Sequence, residues 1–391
     1  MMALPERVDG PLIQAAGIVS GQRIRIMKTG KSLAELAAEL QRQTETRKDY
    51  IAPQAVTEAV VVDGVVKLAG FNGDAFEIRP HAHAQLSQAL SIPKAYYDRM
   101  AAEEPALLAQ NVNTWFQREP DAKRMIRTLD GSVRAVLSPK FRPLDNFDLA
   151  QAILPTLIER KIQIASCELT ETRMYIKGIL PELSDELPAG LSYGTGHHNI
   201  ATDRGRVVAA IVISNSDVGA GSLRMEPSVF TTWCTNLAIM KQAAMRKYHV
   251  GRANAGDGDT WEVLHDDTRA ADDRAFWLKV RDVTMAAFDE KIFRAAVERM
   301  RLAGQAPIKS DNLSAVVSKA VEVLALPAAT SNGILSFLAK GGDITQWGLS
   351  SAITRVANDY ADYEGATVLE RAGGEVLELP AGSWRAISEA A

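Results

Sequence analysis

Six short runs between residues 132 and 235 constrain this chain more than any other feature: "SVRAVLS", "IQIASCEL", "TRMYIKGIL", "RVVAAIVIS", "GSLRME" and "SVFTTWCT". Each is β-branched or alternates apolar with polar residues, which is the pattern of a strand. One helical stretch, "NFDLAQAILPTLIERK", separates the first two. The region therefore reads as a central, largely antiparallel sheet with a crossing helix. Between the fourth and fifth runs lies "SNSDVGAGSL". Its glycines permit φ > 0 where the chain reverses, so this segment reads as a turn between two antiparallel strands.

The regions on either side are different. Residues 31–48, "KSLAELAAELQRQTETRK", place Leu33, Leu36, Ala37 and Leu40 on one helical face. "AVVVDGVVKLAGF" reads as a hairpin turning at Asp-Gly. The stretch from His81 to Gln117 is helical, with a stop near Pro93. "GILPELSDELPAGLSYGTGHHN" reads as a loop because of its Gly and Pro. After "AGDGD" the chain is helical: residues 266–304 form one long helix or two, and more helices follow from Asn312 to about Asp362. A length of 391 residues exceeds one ordinary core. The division is an N-terminal α/β region at 1–117, a strand-rich basic domain at 118–256 and an acidic helical region at 257–391. The fold class is α+β.

The patterns of familiar enzymes are missing. A Walker loop needs Gly-Lys-Ser/Thr, and here "GAG" runs into Ser222 and Leu223. A dinucleotide fingerprint needs a third glycine and a helix, and "SLRMEPSVF" reads as extended. His81 with His83, and His197 with His198, lack the i, i+4 spacing of a metalloprotease helix, and surface or capping roles suit them. A metal site pairing Asp203 with His197 is the alternative for the second pair. Cys167 and Cys234 sit in apolar strand contexts and read as reduced core thiols, with no ligand spacing for zinc. The expectation is a non-enzyme without cofactor or metal. An unrecognised site around Asn215, Asp217, His197 and His198 is the enzymatic alternative. No stretch approaches 18 uninterrupted apolar residues and the N-terminus has no secretory pattern, so a cytoplasmic, non-membrane protein is expected.

Charge points toward a polyanion. Residues 118–253 carry 18 basic and 14 acidic groups, net +4, whereas residues 254–391 carry 14 and 21, net −7. Two clusters supply the basic excess. "REPDAKRMIRTLDGSVRAVLSPKFR" holds Arg118, Lys123, Arg124, Arg127, Arg134, Lys140 and Arg142; "KQAAMRKYHVGR" holds Lys241, Arg246, Lys247, His249 and Arg252. Trp115, Phe116, Phe141 and Tyr248 are interleaved with them. Basic groups track phosphates and aromatic faces stack unpaired bases, a combination suited to single strands. The plain alternative is a solvated charged face over core aromatics.

Four stretches resemble a known family: "VRAVLSPKFRPLDNFDLAQAILP", "SNSDVGAGSLRMEPSVFTTWCTN", "RKYHVG" and "WGLSSAITRVANDYADYEGATVLERAGGEVLEL". They are similar to the phage/plasmid-like protein family numbered 932 among domains of unknown function, over roughly residues 70 to 380. The resemblance implies a mobile element but no reaction and no catalytic residues. By fold-level analogy with phage single-strand annealing proteins, the expected function is ATP-independent annealing of single-stranded DNA in recombination. Arg124, Arg127, Arg134, Lys140, Arg142, Arg246 and Lys247 would hold phosphates, and Phe141 or Tyr248 would stack a base. Such a protein is expected to form a homo-oligomeric ring or helical filament. The alternative is an anti-defence or regulatory protein that binds a host or phage protein through its acidic helical tail.

Overall fold

The computed structural model describes residues 30–187, 206–231, 236–240, 245–247 and 266–391. Helix α1 (Leu33–Thr46) starts where the Ser32 hydroxyl accepts from the Glu35 amide while the Glu35 carboxylate accepts from the Ser32 amide. That reciprocal cap satisfies two otherwise unpaired donors. Strands β1 (Lys48–Pro53), β2 (Glu58–Val62), β3 (Val65–Ala69) and β4 (Phe76–Ile78) precede helices α2 (Pro80–Ala89), α3 (Lys94–Glu103) and α4 (Pro105–Arg118). Strands β5 (Lys123–Leu129) and β6 (Ser132–Leu137) follow. These six strands form one sheet in the order β1-β5-β6-β4-β3-β2, antiparallel except where β4 meets β6. The expected Asp-Gly hairpin is present, with Asp63 and Gly64 at φ 55° and 78°. A second Asp-Gly turn, Asp130–Gly131 at φ 51° and 71°, joins β5 to β6. Residues 123–137 therefore belong to the N-terminal sheet, although the sequence division placed them in the central region.

The second sheet carries the expected antiparallel core. Helix α5 (Asn146–Glu159) leads into β7 (Gln163–Leu169), β8 (Met174–Glu186), β9 (Arg206–Asn215), β10 (Leu223–Thr231) and β11 (Asn236–Ile239), ordered β11-β10-β9-β8-β7. The short strand β12 (Met245–Lys247) pairs with the start of β10. Two sequence expectations need correction here. Residues 178–186, expected as loop, continue β8; a register shift between Leu180 and Ser184 takes Pro181, which has no N–H, out of the ladder. The residues flanking Pro227, from Leu223 to Thr231, form one strand. The Pro227 carbonyl accepts from the Met240 amide at 2.9 Å, so the proline's missing donor also faces away from β9 and that ladder stays intact.

Alternation gives the second sheet two unlike faces. Cys167, Met174, Ile176, Ile211, Ile213, Leu223 and Met225 join one apolar core with α1, α5, α6 (Asp266–Ala286) and α7 (Glu290–Gly304). The Asp289 carboxylate caps α7 and divides the expected long helix into two. Burial pushes the Cys167 thiol up to about 12, which suits an inert core cysteine. Helices α8 (Leu313–Val323), α9 (Ser331–Gly341), α10 (Gln346–Asp359), α11 (Tyr363–Leu377) and α12 (Ala381–Ser388) form a separate helical core. Helices therefore extend well beyond Asp362. Helix α11 also lies on the opposite face of the second sheet. It comes so close that a Cβ on Gly374 would meet the Ile239 carbonyl oxygen at 2.0 Å. No helix among the described residues is long and apolar enough to cross a membrane.

Candidate anion-binding site

The turn at residues 216–222 is where the described parts of the molecule meet. It joins β9 to β10 in an antiparallel pair, and no helix starts at Gly221, so it is a strand connection and not a phosphate loop. Gly219 holds φ 78°, and any side chain there would collide with Leu137. The Val218 carbonyl accepts from Gln85 Nε2 at 2.7 Å and from His81 Nε2 at 3.0 Å. Helix α2 thus clamps the turn from the first sheet's side, which gives His81 a structural task. His83 Nδ1 lies 2.8 Å from the Tyr97 hydroxyl, and burial pushes its pKa below the ordinary value.

Below the turn, two of the expected phosphate ligands are committed elsewhere. Arg127 is fully buried; its Nε donates to Asp49 at 2.8 Å, its Nη2 to Asp145 at 2.7 Å and its Nη1 to the Asp217 carbonyl. Burial opposes its charge, but Asp145, Asp49 and Asp217 outweigh that and raise its pKa. Arg134, 5% exposed, donates to Asp217 Oδ2 at 3.1 Å, while its Nε and Nη2 have no hydrogen-bond partner. Asn215 Nδ2 donates to the Leu144 carbonyl and to Asn146. Strands β5 and β6 are covered on both faces, so these arginines tie the two sheets together and present nothing to a strand of nucleic acid. Asn215 and Asp217 belong to the same junction.

The remaining expected residues are scattered. Arg124 is half-buried and donates to the Ala89 carbonyl at 3.3 Å. Lys140 is exposed, Phe141 and Arg142 are half-buried, and the Arg142 guanidinium stands 5.6 Å from the Phe276 ring centre. Arg246 and Lys247 lie on β12, where Arg246 is the register partner of Arg224. Tyr248, Cys234, Asp203, His197, His198 and the remaining residues of the second basic cluster lie outside the described residues. Trp115 is exposed beneath the Arg118 guanidinium at 4.6 Å, and Phe116 is in the first sheet's core.

Above the turn is a site that the sequence did not suggest. A cavity of about 410 Å³ is lined by Thr172, Arg173, Tyr175, Ala220, Arg224, Glu364, Val368 and Arg371. Its floor comes from the face of the second sheet that α11 covers, where Tyr175, Ser214 and Arg224 lie opposite one another on three neighbouring strands, beside an apolar cluster that includes Val212 and Phe230. Its wall is α11. Arg371 donates twice to Glu226, with a shortest contact of 2.7 Å; burial opposes its charge, but Glu226 holds its pKa above the ordinary value. Deeper under α11, Lys177 Nζ meets both Glu370 oxygens at 2.7 Å and stands 4.5 Å from the Tyr363 ring centre. Burial pushes the Glu370 carboxyl above its ordinary range, and Lys177 opposes that shift. Burial likewise raises Tyr175 to about 12, so its hydroxyl stays protonated.

The Gly221 position completes the pocket. A Cβ there would overlap the Arg173 guanidinium, which packs against the bare glycine and donates through Nη2 to the Ala220 carbonyl. Glu364, on the opposite wall, accepts from the Thr170 and Thr172 hydroxyls. Ser214 is fully buried between Tyr175 and Arg224, and its hydroxyl has no hydrogen-bond partner. Leaving a buried hydroxyl unpaired costs about 1–3 kcal/mol. Three guanidinia around one cavity suit an oxyanion, because each offers a planar fork of donors. Among the described residues, no group of three or more His, Cys, Asp or Glu is placed to hold a metal ion.

The turn and pocket draw on distant parts of the chain: Arg134, Asp145 and Asn146 on the junction side, Thr172, Arg173 and Tyr175 from the β7–β8 turn and β8, the 216–222 turn with Arg224 and Glu226, and Glu364, Glu370 and Arg371 from α11. No protein-family model matches the chain, and no curated protein or solved structure matches it either.

Proposed function

We propose that this protein binds single-stranded DNA and promotes its annealing without nucleotide hydrolysis, as a recombination factor of a phage or plasmid. The observation that carries the reading is the convergence of Arg173, Arg224 and Arg371 on one cavity, with Arg246 in register beside Arg224. On this reading Arg173 and Arg224 hold phosphates in place of Arg127 and Arg134, which are engaged in the junction. A single OB-type strand-binding fold covers only about 4–16 nucleotides. Side-by-side protomers would extend the track, and a head-to-tail contact would close as a ring or continue as a filament.

Helices α6, α7, α10 and α11 complete the packing on both faces of the second sheet. Removing residues after Gly256 would therefore uncover its core, and point variants are the cleaner test. The experiment is binding of a labelled oligonucleotide across a salt series, followed by annealing of two complements without nucleotide and sizing of the complex. The expected result is a steep fall of affinity with salt, shallower in the Arg173→Ala/Arg224→Ala double variant by about one to two units of log–log slope. A protein that binds no oligonucleotide, or stays monomeric and leaves annealing at its spontaneous rate, sinks the reading.

A further inference from the structure

We propose that the cavity between the 216–222 turn and α11 seats the phosphorylated end of a strand: a terminal phosphate monoester together with part of the nucleotide that carries it. The inference rests on the strand-binding reading for the source of that nucleotide, and on the cavity itself for the rest.

The cavity contains more than a charge patch. Arg173, Arg224 and Arg371 approach it from the start of β8, from β10 and from α11, so an anion would meet guanidinium groups from three directions. Tyr175 and Arg224 lie on either side of the fully buried Ser214 on one sheet face, so neighbouring strands set the spacing of these two lining side chains. Gly221 leaves room for the Arg173 guanidinium, which is held in place by the Ala220 carbonyl. These features describe an oxyanion seat whose donors are ordered by the surrounding protein.

Size and lining extend the ligand beyond the phosphate. About 410 Å³ is far more than a bare phosphate fills, since a water's share of liquid volume is about 30 Å³. Val368 and Ala220 give the cavity apolar wall, and Tyr175 gives it an aromatic floor. Glu364 repels an anion but accepts from hydroxyls, as it already does from Thr170 and Thr172. A ligand that is anionic at one end and a hydrogen-bond donor at the other fits that division, and a terminal nucleotide with its phosphate toward the arginines has both. A monoester is near a dianion at neutral pH, because its second pKa is about 6. An internal phosphodiester carries one charge.

The test uses the full chain and one single-stranded oligonucleotide, 3′-labelled, with either a 5′-phosphate or a 5′-hydroxyl. A 5′-labelled version with a 3′-phosphate and free thymidine 5′-monophosphate are the further probes. The expected result is about tenfold tighter binding of one phosphorylated end at pH 7.5, an advantage that shrinks toward pH 5.5 as the monoester loses its second charge. The readout is the ratio of the two affinities, so a general loss of strand binding does not mimic it. Arg224→Gln should bring the ratio near one. Gly221→Ala should do the same by displacing the Arg173 guanidinium with no charge removed, and it guards against a folding defect in the first variant. Equal affinity for phosphorylated and hydroxyl ends overturns the inference and leaves strand binding standing. A phosphate advantage that persists in both variants also overturns it, because the seat then lies elsewhere. Stoichiometric binding of the monophosphate, with no oligonucleotide bound, upholds the phosphomonoester seat and ends the strand reading.

Discussion

Two arginine clusters flank the 216–222 turn, and they use the same side chain for opposite ends. In the junction below, Arg127 meets Asp49, Asp145 and the Asp217 carbonyl, and Arg134 meets Asp217, all within the protein. In the pocket above, Arg173 binds a backbone carbonyl, and Arg224 and Arg371 line a cavity with it. Arg371 also pairs with Glu226. Carboxylates match the junction's charge and bury it, so it holds the two sheets together. The pocket's guanidinia border a cavity, so they can meet a ligand. Cationic residues in a sequence therefore do not mark a site by themselves; whether they end in a buried junction or beside a cavity decides the role.

If that contrast is right, the junction should dominate stability. Replacing Arg127 by Met leaves Asp145 and Asp49 without their buried partner, and removing one member of a buried ion pair costs about 3–5 kcal/mol. Urea unfolding of Arg127→Met should show a loss of that order, or the variant should fail to accumulate. A loss below about 1 kcal/mol would mean that the junction is not a structural tie. A smaller effect is expected under α11. Lys177→Met alone should destabilise by about 3 kcal/mol, and Lys177→Met with Glu370→Leu should recover most of it, because a buried pair exchanged for apolar groups is often neutral. Failure to recover would show that Glu370 has a task besides pairing with Lys177.

The pocket should invert this pattern. Arg224 is half-buried and its Nε donates to the Ser222 hydroxyl at 3.4 Å, so Arg224→Ala should cost about 1 kcal/mol, well below the junction variant. It should nevertheless weaken oligonucleotide binding about tenfold, of the order of one lost charge-assisted contact. Thermal unfolding and anisotropy on the same preparation check both halves. A variant that unfolds but binds normally while folded would place Arg224 with the junction arginines.

The sheets were legible where the backbone determined the outcome. Alternation marked β7, β8 and β9, and Asp63–Gly64 marked a hairpin, because positive φ at two consecutive positions needs such residues. The same signal at Asp130–Gly131 was present and was not used, and it would have moved β5 and β6 into the first sheet. Pro181 and Pro227 suggested breaks because a proline lacks a donor; which side of the strand loses that donor depends on pairing partners and cannot be read locally. The site was less legible. Arg127 and Arg134 sit in "RMIRTLDGSVRAVL", and an arginine in such an apolar run hints at burial, although Asp145 and Asp217 are 18 and 83 residues from the arginines they meet. Arg371 reaches Glu226 across 145 residues, so no spacing rule could have assembled the pocket.

The smallest expected effect discriminates most finely between the two clusters. Ser214 and Arg134 each bury polar atoms without a hydrogen-bond partner, one on the pocket side of the turn and one on the junction side. For Arg134 the ion pair with Asp217 fixes the side chain, and removing it would orphan a buried carboxylate. Ser214 has no such commitment: its hydroxyl is buried in the sheet face and pays desolvation with nothing in return from the protein. Ser214→Ala should therefore leave the unliganded protein as stable as before or more stable by up to about 1 kcal/mol, since removing an unpaired polar group removes its penalty. Binding should not follow. The hydroxyl is fully buried and is not part of the cavity lining, so the alanine variant should bind a phosphorylated oligonucleotide much as the parent does, while Arg224→Ala loses affinity. The ligand-induced rise in unfolding temperature should then be unchanged in the serine variant and reduced in the arginine one. A loss of affinity of about threefold or more in Ser214→Ala would show that the hydroxyl reaches the ligand and would add it to the three arginines.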